Sequence, residues 1–362
     1  MPPRLLSHTK NFSTLLLTWY AKHKRDLPWR RGARDPYRVW VSEILLQQTQ
    51  VTTVLPYYKK FLARFPTVHA LARAKLDTVL KTWEGVGYYA RARNLHRAAK
   101  EIRARFDGKL PTTVAELQTL PGIGRYTASA IASIAFDRDA AVVDGNVTRV
   151  LCRFFGIRRN IQLAKTKTTL WDLAAALVPR GRAGDYNQAL MDLGATICTP
   201  RNPTCARCPL TRACRARRLG IQEKIPIKTK KKKLPHYVIG AGVIYKGKQI
   251  LIAKRNANDL LGGLWEFPGG KRERGESLPA CVAREVREEV GIEIVVAREI
   301  AVVPHAFSHF TITLHFFECR YRRGTPRALE CAECKWVAPR ALARYAFPAA
   351  NRKMIQILNQ RL

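Results

Sequence analysis

Residues 120–150, LPGIGRYTASAIASIAFDRDAAVVDGNVTRV, set a tight turn between two helical patterns. Gly122 and Gly124 permit positive φ and close approach of a ligand to the backbone. A helix rich in Ala and Ile follows at once, over Thr127–Phe136. The N–H groups at its start have no partner within the helix and make a cradle for a phosphate. A short loop then brings Asp144-Gly145-Asn146 to the start of another helix. Taken alone, the stretch also reads as a plain helix–turn–helix corner with Asp144 as its N-cap. The remainder of the chain has to separate the two readings.

The chain has 362 residues, enough for two domains with a core each. Its 64 Lys and Arg against 27 Asp and Glu give a net charge of +37, which favours a polyanionic partner through counterion release. A membrane surface competes for such a charge, but no amphipathic anchor is evident. The apolar run Leu15-Leu16-Leu17 is too short for a signal peptide or a span. A soluble, intracellular protein is expected, cytoplasmic and nucleoid-associated, or nuclear in a nucleated cell.

Helical patterns run over Phe12–His23, from Pro36 to Thr49, and over about 51–64, 76–83, 88–105, 112–119, 146–155 and 166–178. No convincing strand precedes residue 197, so the first domain is expected to be all-α. In the second helix Trp40, Val41, Ile44 and Leu45 form an apolar face, and Glu43 sits among them. Such an acid is either exposed or partly desolvated; if desolvated, its raised pKa suits it to donate a proton. Gly85-Val86-Gly87-Tyr88-Tyr89, followed by Arg91, Arg93 and Arg97, has the makings of a ring inserted into a base stack beside phosphate-binding arginines. It reads as well as an interhelical turn with tyrosine packing.

Cys198-x6-Cys205-x2-Cys208-x5-Cys214 puts four of the nine cysteines in one Pro-rich loop, a ligand cluster rather than a disulfide framework. Thiolate softness suits Zn2+ or an iron–sulfur cluster, and the spacing matches neither zinc-finger pairs nor ferredoxin runs. Residues 219–235, with Lys228-Thr229-Lys230-Lys231-Lys232-Lys233, read as a basic linker. Beyond it the pattern turns strand-like at Tyr237–Tyr245, Gln249–Lys254, Ile292–Val303 and Thr311–Tyr321, with a helix over Leu278–Val290, giving an α+β second domain over 236–362. Cys331-x2-Cys334 has no partner pair and reads as structural.

The first domain, taken as 1–218, resembles the helix-hairpin-helix DNA glycosylase superfamily, and within it the MutY family of adenine DNA glycosylases. The likeness is carried by Leu27-Pro28-Trp29-Arg30, Trp40-Val41-Ser42-Glu43, Leu46-Gln47-Gln48-Thr49-Gln50, Trp83–Tyr89, the hairpin, Val143–Val147 and the cysteine loop. It implies a [4Fe–4S] cluster on Cys198, Cys205, Cys208 and Cys214. It also implies that Glu43 protonates a flipped adenine at N7, that Asp144 stabilises the oxocarbenium ion, and that Asn146 hydrogen-bonds near both. Such a retaining, two-carboxylate route needs one acid kept neutral and one kept ionised. The apolar helix is expected to raise Glu43, and the helix N-terminus to hold Asp144 as an anion.

Tyr126 stands where lyase relatives carry a lysine and cannot form a Schiff base, so a monofunctional enzyme that leaves an abasic site is expected, with Tyr126 shaping the pocket. Gln48 and Tyr88 are expected to wedge the duplex while the base leaves the stack. The second domain resembles the family's Nudix-like lesion reader, with Phe307, Ser308 and His309 facing 8-oxoguanine. The Nudix box is intact from Gly270 to Ile292. Its Glu285, Glu288 and Glu289 fall on one helix face, suited to Mg2+; the box reads first as a retained fold without turnover, and alternatively as a site that hydrolyses a damaged nucleotide such as 8-oxo-dGTP. The expected partner is double-stranded DNA with an A:8-oxoguanine or A:G mispair, bound by a monomer.

Overall fold

A computed structural model of the chain describes residues 11–32, 34–229 and 233–361, with the Arg361 side chain left aside. Two compact units are present, Met1–Ala72 with Arg97–Lys231, and Arg73–His96 with Lys232–Leu362. No helix among the described residues is long and apolar enough to cross a membrane.

The helices of the N-terminal part are α1 (Phe12–His23), α2 (Pro36–Leu46), α3 (Val51–Arg64), α4 (Val68–Arg73), α5 (Leu76–Trp83), α6 (Ala90–Arg105), α7 (Val114–Gln118), α8 (Arg125–Phe136), α9 (Gly145–Phe155), α10 (Ala164–Leu177), α11 (Ala183–Thr196) and the short α12 (Arg215–Arg218). No strand is assigned among the described residues before His236, as the all-α expectation requires. α2 starts where Asp35 accepts from the Tyr37 and Arg38 N–H groups and Pro36 takes the first position. It ends at Leu46, short of the Thr49 expected, because Gln48 has φ 57° and breaks the helix. α7 and α8 are the arms of the hairpin. Gly122 has φ 76°, as a tight turn needs, whereas Gly124 has φ −82° and serves as the N-cap of α8. The expectation of positive φ therefore holds at one of the two glycines.

Helices α4 and α11 were not foreseen. α11 is packed against α9 so closely that a Cβ at Gly194 would sit 2.6 Å from the Asn146 Cβ. At its other end a Cβ at Gly184 would meet the Ser133 carbonyl of α8 at 2.6 Å. Both glycines permit close approach rather than breaking the helix.

The units do not divide at residue 219. Ile225 is buried, its carbonyl accepts from Arg153 Nε at 3.2 Å, and Ile161 N–H donates to Ile227 O at 3.0 Å. The chain as far as Thr229 is thus fastened to the first unit, and of the lysine run, residues 230–232 lie outside the described residues. Residues 73–96 group with the second unit, because Lys81 Nζ donates to Tyr345 O at 2.8 Å, Glu84 accepts from Phe347 N–H at 3.0 Å and Arg93 donates to Gly262 O at 2.7 Å.

The second unit is built on β1 (His236–Lys246), β2 (Gln249–Lys254), β3 (Trp265–Glu266), β4 (Gly269–Lys271), β5 (Glu293–Ala306), β6 (Thr311–Arg323) and β7 (Glu333–Val337), with α13 (Leu278–Val290) and α14 (Ala349–Arg361). The sheet runs β3-β2-β1-β6-β5, with β4 against β1 and β7 against β2; β1 and β6 are parallel and the other pairs antiparallel. Alternation sends Val243, Ile250, Ile252 and Phe316 to one face, where Phe347, Met354 and Leu358 cover them. Ile244, Leu251, Ala253 and Phe317 go to the other face, against Val282, Val286 and Val290 of α13. The short β3 lies in Leu264–Pro268, where the Nudix resemblance implies a strand and turn, whereas β4, β7 and the C-terminal α14 gave no sequence signal of their own.

Candidate active site

Glu43 is 5% exposed, in the middle of α2 among buried Trp40, Val41, Ile44 and Leu45. An apolar helix face has carried this acid into the interior, so the exposed reading fails. Burial pushes its carboxyl up to about 7; the Tyr126 hydroxyl, which donates to Oε2 at 3.0 Å, and the Arg30 charge oppose this, and Asp144 adds to it. The Tyr126 hydroxyl also lies 3.3 Å from Met191 Sδ, and burial holds its proton on well beyond the usual phenol range.

Asp144 is the N-cap of α9 and accepts from Val147 N–H at 2.7 Å through Oδ1. Its Oδ2 accepts from Asn146 Nδ2 at 3.0 Å. The cap reading and the functional reading therefore describe the same carboxylate. The expectation that the helix terminus holds its pKa down is corrected. Burial raises it, and the Val147 and Asn146 donors only oppose that rise. Asp144 still differs from Glu43 in having a donor on each oxygen, which is what a buried anion needs. Asn146 is held in turn by Arg149, whose Nη2 donates to Asn146 Oδ1 at 2.8 Å and to Gly194 O at 2.6 Å.

Glu43, Tyr126, Asp144 and Asn146 share one cavity of about 490 Å³. Among the described residues no lysine lines it; Arg25, Arg30 and Gln188 do. Behind the two arginines lies Asp192 of α11, wholly buried, whose carboxylate accepts from Arg30 Nη1 and Nη2 at 2.7 and 3.0 Å. It also accepts from the Arg25 N–H at 3.1 Å and Arg25 Nε at 2.7 Å. Sequence reasoning missed Arg25, Asp192 and Gln188 altogether, and quoted Arg30 only as part of a motif.

The residues expected to touch DNA lie outside this cavity. Gln48 and Tyr88 are both non-glycine residues in the left-handed region, at φ 57° and 49°, and Tyr88 is 45% exposed with the Arg91 guanidinium 5.3 Å from its ring centre. Such strain at an exposed aromatic is the kind stored at working sites. At the hairpin, a Cβ on Gly124 would meet no atom within 4 Å, leaving the open space a backbone phosphate requires. Phe307, Ser308 and His309 form the turn between β5 and β6, closed by Phe307 N–H to Phe310 O at 2.8 Å and by stacking of the two phenylalanine rings at 4.5 Å. Ser308 and His309 are exposed there.

Cys198, Cys205, Cys208 and Cys214 line one cavity of about 30 Å³, and Arg153 Nη1 donates to Cys198 Sγ at 3.3 Å. Burial pushes the Cys208 thiol up to about 12 and raises Cys214. Among the described residues no three or more His, Cys, Asp or Glu converge on a single ion. Four cysteine thiols around one shared hollow are a donor set that suits a soft metal centre.

The Nudix-box acids are differently disposed. Arg284 Nη1 takes both Glu285, at 3.0 Å, and Glu288, at 2.8 Å, while its Nε and Nη2 hold Glu276 at 2.9 and 3.1 Å. Glu289 turns inward, 9% exposed, accepts from Gly269 N–H at 3.1 Å and is pushed up to about 8 by burial. The one-face expectation is right about helical position, but as arranged Glu285, Glu288 and Glu289 do not make a common oxygen cage for Mg2+.

Residues 41–176 match the HhH-GPD superfamily of base excision DNA repair proteins, and residues 240–356 match the NUDIX domain. Hairpin, buried acids and Nudix-like sheet thus define a two-domain protein of the base excision repair class. An adenine DNA glycosylase of Homo sapiens is 36% identical, with 96% of this chain and 73% of that one aligned. One from Buchnera aphidicola subsp. Schizaphis graminum is 38% identical over 83% of this chain and 85% of its own. A solved thermostable thymine-DNA glycosylase superposes with a TM-score of 0.55 at 33% identity, covering 59% of this chain and 99% of that one. The chain belongs to the adenine DNA glycosylase family.

Proposed function

We propose that this chain hydrolyses the N-glycosidic bond of an adenine mispaired with 8-oxoguanine or guanine in duplex DNA, and leaves an abasic site. The observation that carries the reading is the shared cavity, in which buried Glu43 faces Tyr126 and Asp144 and, among the described residues, no lysine joins the lining. With its carboxyl at about 7, Glu43 holds a proton near neutrality and gives it to N7 of the flipped base. The C1′–N9 bond breaks with its electron pair passing to the purine. Asp144, with a donor on each oxygen, stays an anion beside the oxocarbenium ion, and Asn146 fixes its plane. Water then adds at C1′ and its proton passes to the carboxylate left on Glu43. With no amine in the cavity, no Schiff base forms and the strand stays whole.

Gln48 and Tyr88 hold the opened stack, Gly122 and Gly124 seat the backbone phosphate, and Phe307, Ser308 and His309 read the lesion opposite. Cys198, Cys205, Cys208 and Cys214 would hold a [4Fe–4S] cluster, which when bound supplies a structural cross-link and a redox centre near DNA. Visible absorption near the iron–sulfur charge-transfer region, with iron and sulfide analysis of the purified protein, tests that assignment.

The decisive assay incubates an A:8-oxoguanine duplex with the protein and resolves the strands with and without hot alkali. Breaks only after alkali are expected; breaks without alkali mean lyase chemistry, and no breaks under either condition refute base removal.

A further inference from the structure

Glu43 has to keep a proton in a cavity that is also walled by two arginines, an arrangement that would ordinarily strip it. The groups acting on Glu43 come from three elements: Tyr126 on α8, Asp144 at the start of α9, and Arg30 in the turn Pro28–Arg30. Of these only Arg30 is a cation. Its guanidinium is paired edge-on with Asp192, through Nη1 to Oδ2 at 2.7 Å and Nη2 to Oδ1 at 3.0 Å. Asp192 is fully buried, and its only cationic partners among the described residues are Arg30 and Arg25, the latter reaching Oδ1 with Nη2 at 2.6 Å. Despite its burial, these partners hold the Asp192 carboxyl below the usual carboxylate range. Paired in this way Arg30 still acts on Glu43, but a guanidinium bonded to a counter-charge acts less strongly than an unpaired one would.

We propose that Asp192 is a positioning residue for base removal: it absorbs the charge of Arg30 and keeps the wall facing Glu43 electrically quiet, so that Glu43 retains its proton. This rests on Glu43 being the proton donor. Asp192 touches neither DNA nor the reacting atoms; it acts through Arg30. Removing its charge leaves an uncompensated guanidinium in the wall of the cavity that holds Glu43, and an opposite charge within about 4–6 Å lowers a carboxyl by ~1–3 pH units. Removing Arg30 instead leaves Asp192 on Arg25 and takes away the one cation that opposes protonation of Glu43. The two substitutions push Glu43 in opposite directions, which a merely structural pair would not do.

The test is the single-turnover rate of adenine removal against pH for the full-length protein and for Asp192→Asn and Arg30→Gln. For Asp192→Asn the alkaline limb is expected to move down by about one pH unit, which is ~10-fold slower turnover on the alkaline side with the acidic plateau less affected. For Arg30→Gln the limb moves up, whatever the absolute rate. The double variant returns the limb to its parental position. A uniform loss at every pH, or limbs that stay in place, overturns the proposal. If Asp192→Asn does not fold, the direction of the Arg30→Gln shift decides alone. Glu43→Gln is the control on the underlying reading. If it keeps turnover with the parental limb, Glu43 is not the donor and the wider mechanism fails; if it is inactive while the other limbs do not move, only the role of Asp192 fails.

Discussion

In the first unit buried Glu43 and half-buried Asp144 share a cavity, and among the described residues no cation is bonded to either. In the second unit three acids, Glu276, Glu285 and Glu288, crowd together, yet one guanidinium, Arg284, bonds all three. Desolvation keeps the first pair poised and still raises Glu285 in the second set, whereas at Glu276 pairing wins. Glu276 shows the consequence: the Arg284 hydrogen bonds, helped by Glu273 N–H, bring its carboxyl down to about 2, whereas burial, with Asp144 adding to it, takes Glu43 to about 7. Acidic residue count therefore says little about chemistry; what each acid is bonded to says most of it.

The largest effect expected from breaking this contrast is at Asp144. Asp144→Asn keeps the cap shape but removes the anion, and the rate of adenine removal is expected to fall by a thousandfold or more, on the order seen when a transition-state charge partner is lost. Binding of the mispaired duplex, read by gel shift, should survive. Lost binding together with a lowered melting temperature would make Asp144 a cap and nothing else.

A smaller effect is expected at Tyr126. Tyr126→Phe deletes the hydroxyl that donates to Glu43 Oε2 at 3.0 Å and favours its anion. Glu43 then stays protonated to higher pH, so the alkaline limb of the rate profile moves upward from about 7, with a rate loss of roughly tenfold or less from lost positioning. A limb that moves downward would mean the hydroxyl acts on some other group.

How much of this contrast could be read from residues in a row depends on which forces are local. Glu43 and Asp144 were legible because an acid in an apolar helix and an acid before a helix start are one-dimensional signals. The direction of the Asp144 shift was not, because the sequence shows its two nearby donors but not the burial that outweighs them. Asp192 was invisible for a different reason. Its helix carries Gly184, Asp185, Asn187 and Gly194, poor helix formers by local preference, and forms because the glycines let it press against α8 and α9. The strands of the second unit were plain from alternation except for β3, which only the resemblance marked, and β4 and β7, which the chain forms by pairing with β1 and β2. The division of the chain was misplaced at both ends, since neither the anchoring of Ile225 nor that of Glu84 to Phe347 leaves any trace in composition.

The smallest effect on chemistry, and the sharpest on the comparison, is expected at Arg284. Arg284→Met should leave adenine removal from an A:G duplex, read in the Glu43–Asp144 cavity, at the parental rate, because Arg284 lines no part of that cavity. Its effect should appear in the thermal stability of the second unit. A carboxyl whose folded pKa lies below its unfolded one stabilises above the unfolded value and loses that contribution as pH falls through the folded one. For Glu276 the window runs from 4.5 down to about 2. The melting temperature of Arg284→Met should accordingly lie below the parent's at neutral pH, and the gap should narrow as the buffer is taken down through that window. A gap that stays constant with pH would mean that Arg284 serves by packing its stem, not by discharging the acids. A fall in the adenine-removal rate at matched folded fraction would mean that the box acids take part in the chemistry after all, and the contrast between the two clusters would collapse.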